Sequence, residues 1–207
     1  MSIKLPRLYP ITDTRLSGLS HAEQVARLSA GGATFIQLRE KHLSPSDFYN
    51  AAEQALVVAR ERGVRLIIND RADIALALGA DGVHLGQDDL PPTAARELLG
   101  EKAVIGFSTH NVEQAKEAAH LPVDYIAIGP IFNTSSKENA DAVVGLEGLR
   151  RVRQAVGSTP LVAIGGITLE TAPLVLAAGA DAVAVISLLL KEPSKIEQRV
   201  RAVINSL

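Results

Sequence analysis

In the stretch Gln37-Leu38-Arg39-Glu40-Lys41 an amide and two cations recur at every second position. On an extended strand the side-chain period of two puts Gln37, Arg39 and Lys41 on one face. Arginine grips phosphate oxygens with a planar fork and lysine adds a point charge, so this face would bind an anion. The alternative is a solvated strand end in which Glu40 pairs with its cationic neighbours. A second pattern is acidic. Asn69-Asp70-Arg71 closes one apolar run, and Gln87-Asp88-Asp89 follows the next. If those runs are adjacent strands, Asp70 and Asp89 meet at one rim, where two carboxylates repel unless a proton or cation lies between them. Mg²⁺ takes one or two carboxylates and completes its shell with water and substrate phosphate oxygens, so Mg²⁺ is the expected cofactor. Helix capping by Asp70 or Asp73 is the competing role.

Other groups fall at the ends of later apolar runs. Gly106, Ser108 and His110 share a parity, and the Ser108 hydroxyl would reach a ligand at the rim. His84 and His110 lack the close spacing of metal ligands and read as hydrogen-bonded rim residues, whereas His21, His42 and His120 read as surface or helix residues. Thr134-Ser135-Ser136-Lys137 offers three hydroxyls and a cation to phosphate oxygens. Gly165-Gly166 and Val185-Ile186-Ser187 end two further runs, where backbone amides commonly hold a phosphate. A tight strand-to-helix turn is the plainer role for the two glycines. Two anion sites and one metal site across a shared mouth fit two phosphorylated small molecules and a group transfer in which diphosphate leaves.

Those residues need a scaffold that brings strand ends together. Eight short apolar runs are legible: Leu8–Asp13, Phe35–Glu40, Arg65–Asp70, Gly82–Gly86, Val104–Thr109, Tyr125–Pro130, Leu161–Gly166 and Ala182–Ser187. Helical stretches rich in Ala, Leu and Glu separate them. Ser20 with Glu23 forms a capping box, Ser44-Pro45 places a cap before a proline at the first helical position, and Asn111 with Gln114 repeats the signal. Thr168 precedes another helix, and Gly179 marks its stop. Gly32-Ala33, Gly79-Ala80-Asp81 and Gly179-Ala180-Asp181 each lead into a strand, a weak internal echo. Strictly alternating β and α units predict a parallel sheet with helices outside. Eight of them predict one α/β domain, a (β/α)8 TIM barrel over residues 1–207, with its site at the carboxyl ends of the strands. The longest connection, Ile131 to Val144, is polar and reads as functional.

Composition narrows the chemistry. In 207 residues, 47% are apolar and only 3% aromatic, so the core must rest on aliphatic side chains. A net charge of −2 gives no basic field for nucleic acid. The absence of cysteine removes thiolate nucleophiles and sulfur-ligated metals. Lys4, Pro6 and Arg7 interrupt the start before an apolar run can form, so no signal peptide is expected. Ala182–Leu190, the longest largely apolar run, is too short to span a bilayer. A cytoplasmic protein without membrane partners is the expectation.

The chain resembles the thiamine phosphate synthase family along nearly its whole length. The matching stretches are Tyr9-Pro10-Ile11-Thr12-Asp13, Gln37-Leu38-Arg39-Glu40-Lys41, Ile68-Asn69-Asp70-Arg71 and Gly82-Val83-His84-Leu85-Gly86-Gln87-Asp88-Asp89. Gly106-Phe107-Ser108-Thr109-His110, Gly129-Pro130-Ile131-Phe132, Thr134-Ser135-Ser136-Lys137, Gly145-Leu146-Glu147, Ile164-Gly165-Gly166-Ile167 and Val185-Ile186-Ser187 continue the match in order. The resemblance implies that Gln37, Leu38, Arg39, Glu40, Lys41, Asn69, Ser108 and Lys137 hold an aminopyrimidine diphosphate. It implies Asp70 and Asp89 as Mg²⁺ ligands, and Thr134, Ser135, Ser136, Gly166, Ile186 and Ser187 as the thiazole phosphate site. Ser136 departs from the threonine usual in the family, keeping the hydroxyl and losing a methyl. A monomer or homodimer is implied. A sister family of thiazole tautomerases shares the fold but tends to lose the metal-binding Asp and the Gln37–Lys41 pattern, and it carries a catalytic His where this chain has Pro130. The synthase is therefore the expected activity, ahead of the tautomerase and of a non-catalytic binder of phosphorylated ligands.

Overall fold

In the computed structural model, which describes residues 3–134 and 142–207, eight parallel strands alternate with helices. The strands are β1 (Leu8–Pro10), β2 (Phe35–Leu38), β3 (Arg65–Asn69), β4 (Gly82–Leu85), β5 (Val104–Thr109), β6 (Tyr125–Ile128), β7 (Leu161–Ile164) and β8 (Ala182–Val185). The helices are α1 (Thr14–Ser17), α2 (His21–Ala30), α3 (Pro45–Glu61), α4 (Ala72–Leu78), α5 (Pro92–Leu99), α6 (Val112–Ala118), α7 (Gly145–Val156), α8 (Ala172–Ala177), α9 (Ser187–Leu190) and α10 (Ile196–Ser206). The sheet runs β1-β8-β7-β6-β5-β4-β3-β2. A bridge between Ile11 and Gln37, with the Thr12 N–H donating to the Gln37 carbonyl at 2.9 Å, closes it into a barrel. This is the (β/α)8 architecture that the alternation predicts. Among the described residues, no helix is long and apolar enough to cross a membrane.

All eight strands begin at the residue where the sequence pattern begins. Their ends do not match as well: β1 stops at Pro10 rather than Asp13, and β2 at Leu38 rather than Glu40. The polar residues beyond these ends build the rim, and some, such as Thr12 and Asp70, still bond to the neighbouring strand through their amides. Capping follows the sequence signals. Ser20 and Glu23 form the capping box of α2, Ser44 caps α3 ahead of Pro45, and Asn111 accepts from the Gln114 amide at the start of α6.

Alternation divides the apolar side chains into two bodies. Ile36, Leu38, Leu66, Ile68, Val83, Leu85, Ile126 and Ile128 point outward into a shell shared with the helices. Tyr9, Phe35, Ile67, Tyr125, Val162 and Ala182 point inward and fill the barrel. Small residues on the inner face, Ala127 and Ala184, leave room toward the carboxyl end.

The opposite end is stapled. The Asp81 amide donates to the Leu66 carbonyl at 3.2 Å, and the Leu66 amide returns a bond to the Asp81 carboxylate at 2.8 Å. Asp124 makes the same two-way link with Ile105, and Asp181 makes it with Leu161. Arg96 and Arg153 then pair with Asp124 and Asp181. The Gly-Ala-Asp echo in the sequence therefore marks a device that pins the starts of β3 and β7, and Asp124 repeats the device at β5 without that sequence.

Gly82 opens β4 under a tight steric constraint. A Cβ there would lie 1.9 Å from the Val104 carbonyl oxygen, which is fixed backbone. Gly82→Ala is expected to destabilise the fold by roughly 1–3 kcal/mol, the usual cost of overpacking a dense interior. Urea unfolding measures this, and an unchanged midpoint would contradict it.

Candidate active site

The strand ends enclose a cavity of about 580 Å³ at the carboxyl mouth of the barrel. Its floor is apolar, made by Ile11, Ala127, Val162, Ile164 and Ala184. Its rim is polar and has two chemically different sides.

On the β2–β5 side, Gln37, Arg39 and Lys41 all line the cavity, as their shared parity predicts. Leu38 and Glu40 point the other way. Leu38 is fully buried in the outer shell, and a ligand would meet it only through its backbone. Glu40 does not pair with Arg39 or Lys41. One of its oxygens accepts the amides of Lys41, His42 and Leu43, at 2.8, 2.7 and 3.3 Å. The other oxygen faces His21 Nε2 at 3.3 Å, and His21 Nδ1 meets Thr12 Oγ1 at 2.8 Å. Burial would raise the Glu40 carboxyl, but the His42 amide, His21 and the neighbouring amides together hold it below the usual range. His21 is a helix residue but not a surface one. Burial pushes its imidazole down, against the pull of Glu40 and Asp13. Thr12 Oγ1 also accepts the Arg39 amide at 3.2 Å, so this cluster fixes the backbone from which both cations project. Arg39 lies 3.5 Å from Asp13, and Lys41 is ion-paired with Asp70.

Asp70 follows β3 in a left-handed conformation, φ +63°, which costs a non-glycine residue about 1–2 kcal/mol. Its amide still donates to the His84 carbonyl at 2.8 Å, so the ladder extends to Asp70 before the chain turns. Asp70 does not cap α4. The cap position is Arg71, with no side-chain cap bond, and Arg71 pairs with Asp73. Asp89 closes the turn after β4 by accepting the Gly86 amide at 2.7 Å. The Asp70 and Asp89 carboxyls stand within hydrogen-bonding reach of each other. Burial above all, and then Asp89, push the Asp70 carboxyl above the usual range, against the pull of Lys41. Asn69 and Ser108 complete this side.

On the β6–β8 side, Thr134, Gly166, Ile186 and Ser187 line the cavity. Ser135, Ser136 and Lys137 lie outside the described residues. The connection after β6 is tied down at both ends. Ile131 and Phe132 donate to the carbonyls of Ile164 and Gly165 at 2.9 and 3.0 Å, and Val144 and Gly145 donate to those of Pro130 and Ile131 at 2.8 and 3.1 Å. The glycines at 165 and 166 answer to this packing as well as to a left-handed turn. A Cβ on Gly166 would lie 2.5 Å from the Asn133 carbonyl oxygen and 2.8 Å from Phe132 Cβ. Sequence reasoning passed over Tyr9, Ile11, Gln114 and Leu188, which also line the cavity. Strand parity could have found Tyr9, two residues before Ile11 on the inward face.

The sequence profile of thiamine monophosphate synthases matches residues 8–189. The chain belongs to that family. A thiamine-phosphate synthase of Clostridium novyi (strain NT) is 48% identical over 186 residues, 89% of this chain and 91% of the other. One from Koribacter versatilis (strain Ellin345) is 50% identical over 198 residues, 92% of each chain. The solved thiamine phosphate pyrophosphorylase of Pyrococcus furiosus superposes with a TM-score of 0.84 at 37% identity, covering 96% of this chain and 95% of the other. Every strand end that lines the cavity falls within the stretch matched to the thiamine monophosphate synthase family.

The net cost of holding Asp70 charged has a measurable consequence. Asparagine keeps the tolerance for left-handed backbone while removing the charge. Asp70→Asn is expected to raise the thermal midpoint of the protein in metal-free buffer. Differential scanning calorimetry reads this, and a lowered midpoint would mean that the Lys41 pair outweighs burial and repulsion.

Proposed function

We propose that the cavity joins an aminopyrimidine bearing a diphosphooxymethyl group to a thiazole bearing a phosphoethyl chain, giving thiamine phosphate and diphosphate. The synthase names of relatives that align along most of the chain support the reaction. The observation that carries its assignment to this cavity is the two-sided rim, with cations and paired carboxylates on one side and hydroxyls and a glycine turn on the other. The thiazole would enter as the phosphate or its 2-carboxylate.

In this reading, Gln37 and Asn69 face the pyrimidine, with the backbone of residues 38 and 40 beside it. Arg39, Lys41 and Lys137 balance the diphosphate, and Ser108 hydrogen-bonds the same substrate. Thr134, Ser135, Ser136, Gly166, Ile186 and Ser187 hold the thiazole phosphate. Asp70 and Asp89 suit Mg²⁺: two carboxylates on one rim, one of them held up by burial and by the other, is the donor set this ion takes alongside substrate phosphates. When bound, Mg²⁺ supplies positive charge to the diphosphate oxygens.

The bond between the pyrimidine methylene carbon and the diphosphate oxygen breaks, and both its electrons leave with the diphosphate. The electron-rich aminopyrimidine shares the positive charge left on carbon. The thiazole nitrogen donates its lone pair to that carbon and forms the new C–N bond. No side chain bonds to substrate, which accords with a chain that has no cysteine. The protein's contribution is to hold the two partners in line and to stabilise the departing charge.

Purified protein mixed with both substrates and Mg²⁺ is expected to form thiamine phosphate, read as fluorescent thiochrome after oxidation, and to form none with chelator present. Arg39→Ala is expected to lower kcat by about 10²–10³, by analogy with the loss of one donor to a developing oxyanion. Lys137→Ala is expected to slow turnover more than Ser136→Ala. Product formation that ignores chelator would remove the metal from this reading, and equal, negligible effects of the last two variants would remove the loop.

A further inference from the structure

The barrel interior holds a row of hydrogen-bonded side chains whose middle members, Tyr9, Tyr125 and His84, the reaction above leaves without a role. Gln37 Nε2 donates to Tyr9 Oη at 3.1 Å, and Tyr9 Oη lies 2.9 Å from Tyr125 Oη. Tyr125 Oη lies 2.9 Å from His84 Nδ1, and His84 Nε2 lies 2.8 Å from Ser108 Oγ. The row thus crosses the barrel from β2 through β1, β6 and β4 to β5, and both its end residues line the cavity. Its middle members are buried.

The row also has a cleared path. His84, Gly106 and Tyr125 stand in register on three adjacent strands. A Cβ on Gly106 would lie 2.3 Å from Tyr125 Oη and 2.6 Å from His84 Nδ1. Gly106 leaves the gap through which those two atoms meet, with the rings stacked 5.5 Å apart.

Proton counting gives the row a direction. Each tyrosine has one hydroxyl proton; Tyr9 lies between Gln37 and Tyr125, and Tyr125 lies between Tyr9 and His84 with the Gln37 amide as a further donor. A neutral imidazole also has one proton and two neighbours, and the buried His84 ring meets hydroxyls, not a carboxylate, at both nitrogens. Every link then needs a donor on one side only, because two lone pairs or two protons facing each other leave a buried polar group unsatisfied. Only two arrangements satisfy all links, one the reverse of the other, and the amide at Gln37 selects between them. With Nε2 as the donor, Tyr9 donates to Tyr125 and Tyr125 donates to His84 Nδ1. The imidazole proton must then sit on Nε2 and point at Ser108 Oγ.

We propose that Gln37, Tyr9, Tyr125 and His84 form a one-way hydrogen-bond relay that fixes His84 as its Nε2–H tautomer and presents the Ser108 hydroxyl to the cavity as a donor. Tyr9, Tyr125 and His84 are positioning residues. Ser108, with its lone pair engaged by His84, offers its proton to an acceptor atom of the pyrimidine diphosphate, and neighbouring bonds in such a chain strengthen one another. This last link rests on the proposed function. The direction of the relay does not.

Long-range ¹H–¹⁵N spectra of the full chain labelled with ¹⁵N-histidine, without substrate, report which ring nitrogen of His84 carries the proton. A His84→Gln sample assigns the signal. The expected ring is protonated at Nε2. Gln37→Glu, recorded above neutral pH where the carboxylate can only accept, is expected to reverse every link and move the proton to Nδ1. A wild-type ring protonated at Nδ1, or a tautomer indifferent to Gln37→Glu, overturns the relay. Tyr125→Phe is expected to raise KM for the pyrimidine diphosphate about tenfold, the loss of one buried hydrogen bond, and to leave KM for the thiazole phosphate within about twofold. Equal rises in both overturn the link to Ser108. The spectra need no turnover and no Tyr125 variant, so a failed synthase assay would refute the reaction while the histidine ring still decides the relay.

Discussion

Side-chain alternation in short strands around a closed ring governs this molecule. Each strand has three to six residues, and each residue faces either the interior or the helical shell. One register shift would exchange the two sets. The interior is thus built from few positions, and those nearest the carboxyl ends must serve as both packing and site. Gln37 illustrates this: its carbonyl closes the barrel against Thr12, and its side chain faces the cavity. Leu38 and Glu40, one step out of phase, support the same strand end from behind.

Polarity within this small interior is stabilised by satisfaction rather than by solvent. Among the described residues, no buried side-chain nitrogen or oxygen lacks a hydrogen-bond partner. The tyrosines at positions 9 and 125 are held protonated by burial, and His84 is held neutral by the same cause. On the cavity side, charge appears toward the mouth, where Arg39 faces Asp13 and Lys41 faces Asp70. The gradient from neutral floor to charged rim suits ligands whose rings are apolar and whose tails are phosphorylated.

Much of this was legible before any coordinates. Strand starts from β2 onward were legible because each follows the end of a helix and a short turn. Strand ends were not, because the polar residues there still alternate as a strand would while the backbone has already turned, as at Asp13 and Arg39-Glu40. The clustering of Gln37, Arg39, Lys41, Asn69, Asp70, Asp89 and Ser108 around one cavity followed from strand parity and the barrel's one-sided mouth. The support behind it did not. His21, at the first position of a helix, gave no sign that it turns inward to Glu40, since helix position alone does not say which way a side chain packs. Tyr125 pairs with residues 116 and 41 positions away, beyond any local pattern. Gly166 invites a ligand-based account, and the Asn133 and Phe132 backbone beside it adds a second reason that only packing reveals.

The aspartate staples at the amino ends of β3–β4, β5–β6 and β7–β8 fix where strands begin, far along each strand from the residues that meet a ligand. Register is thus decided at one end of the barrel and used at the other. A lineage carrying such a scaffold can rewrite much of its rim, because the staples hold strand pairing apart from the rim side chains. Selection for new chemistry and selection for folding then overlap at shared positions such as Gln37 but not at the staples, which makes the barrel an evolvable chassis as well as a container.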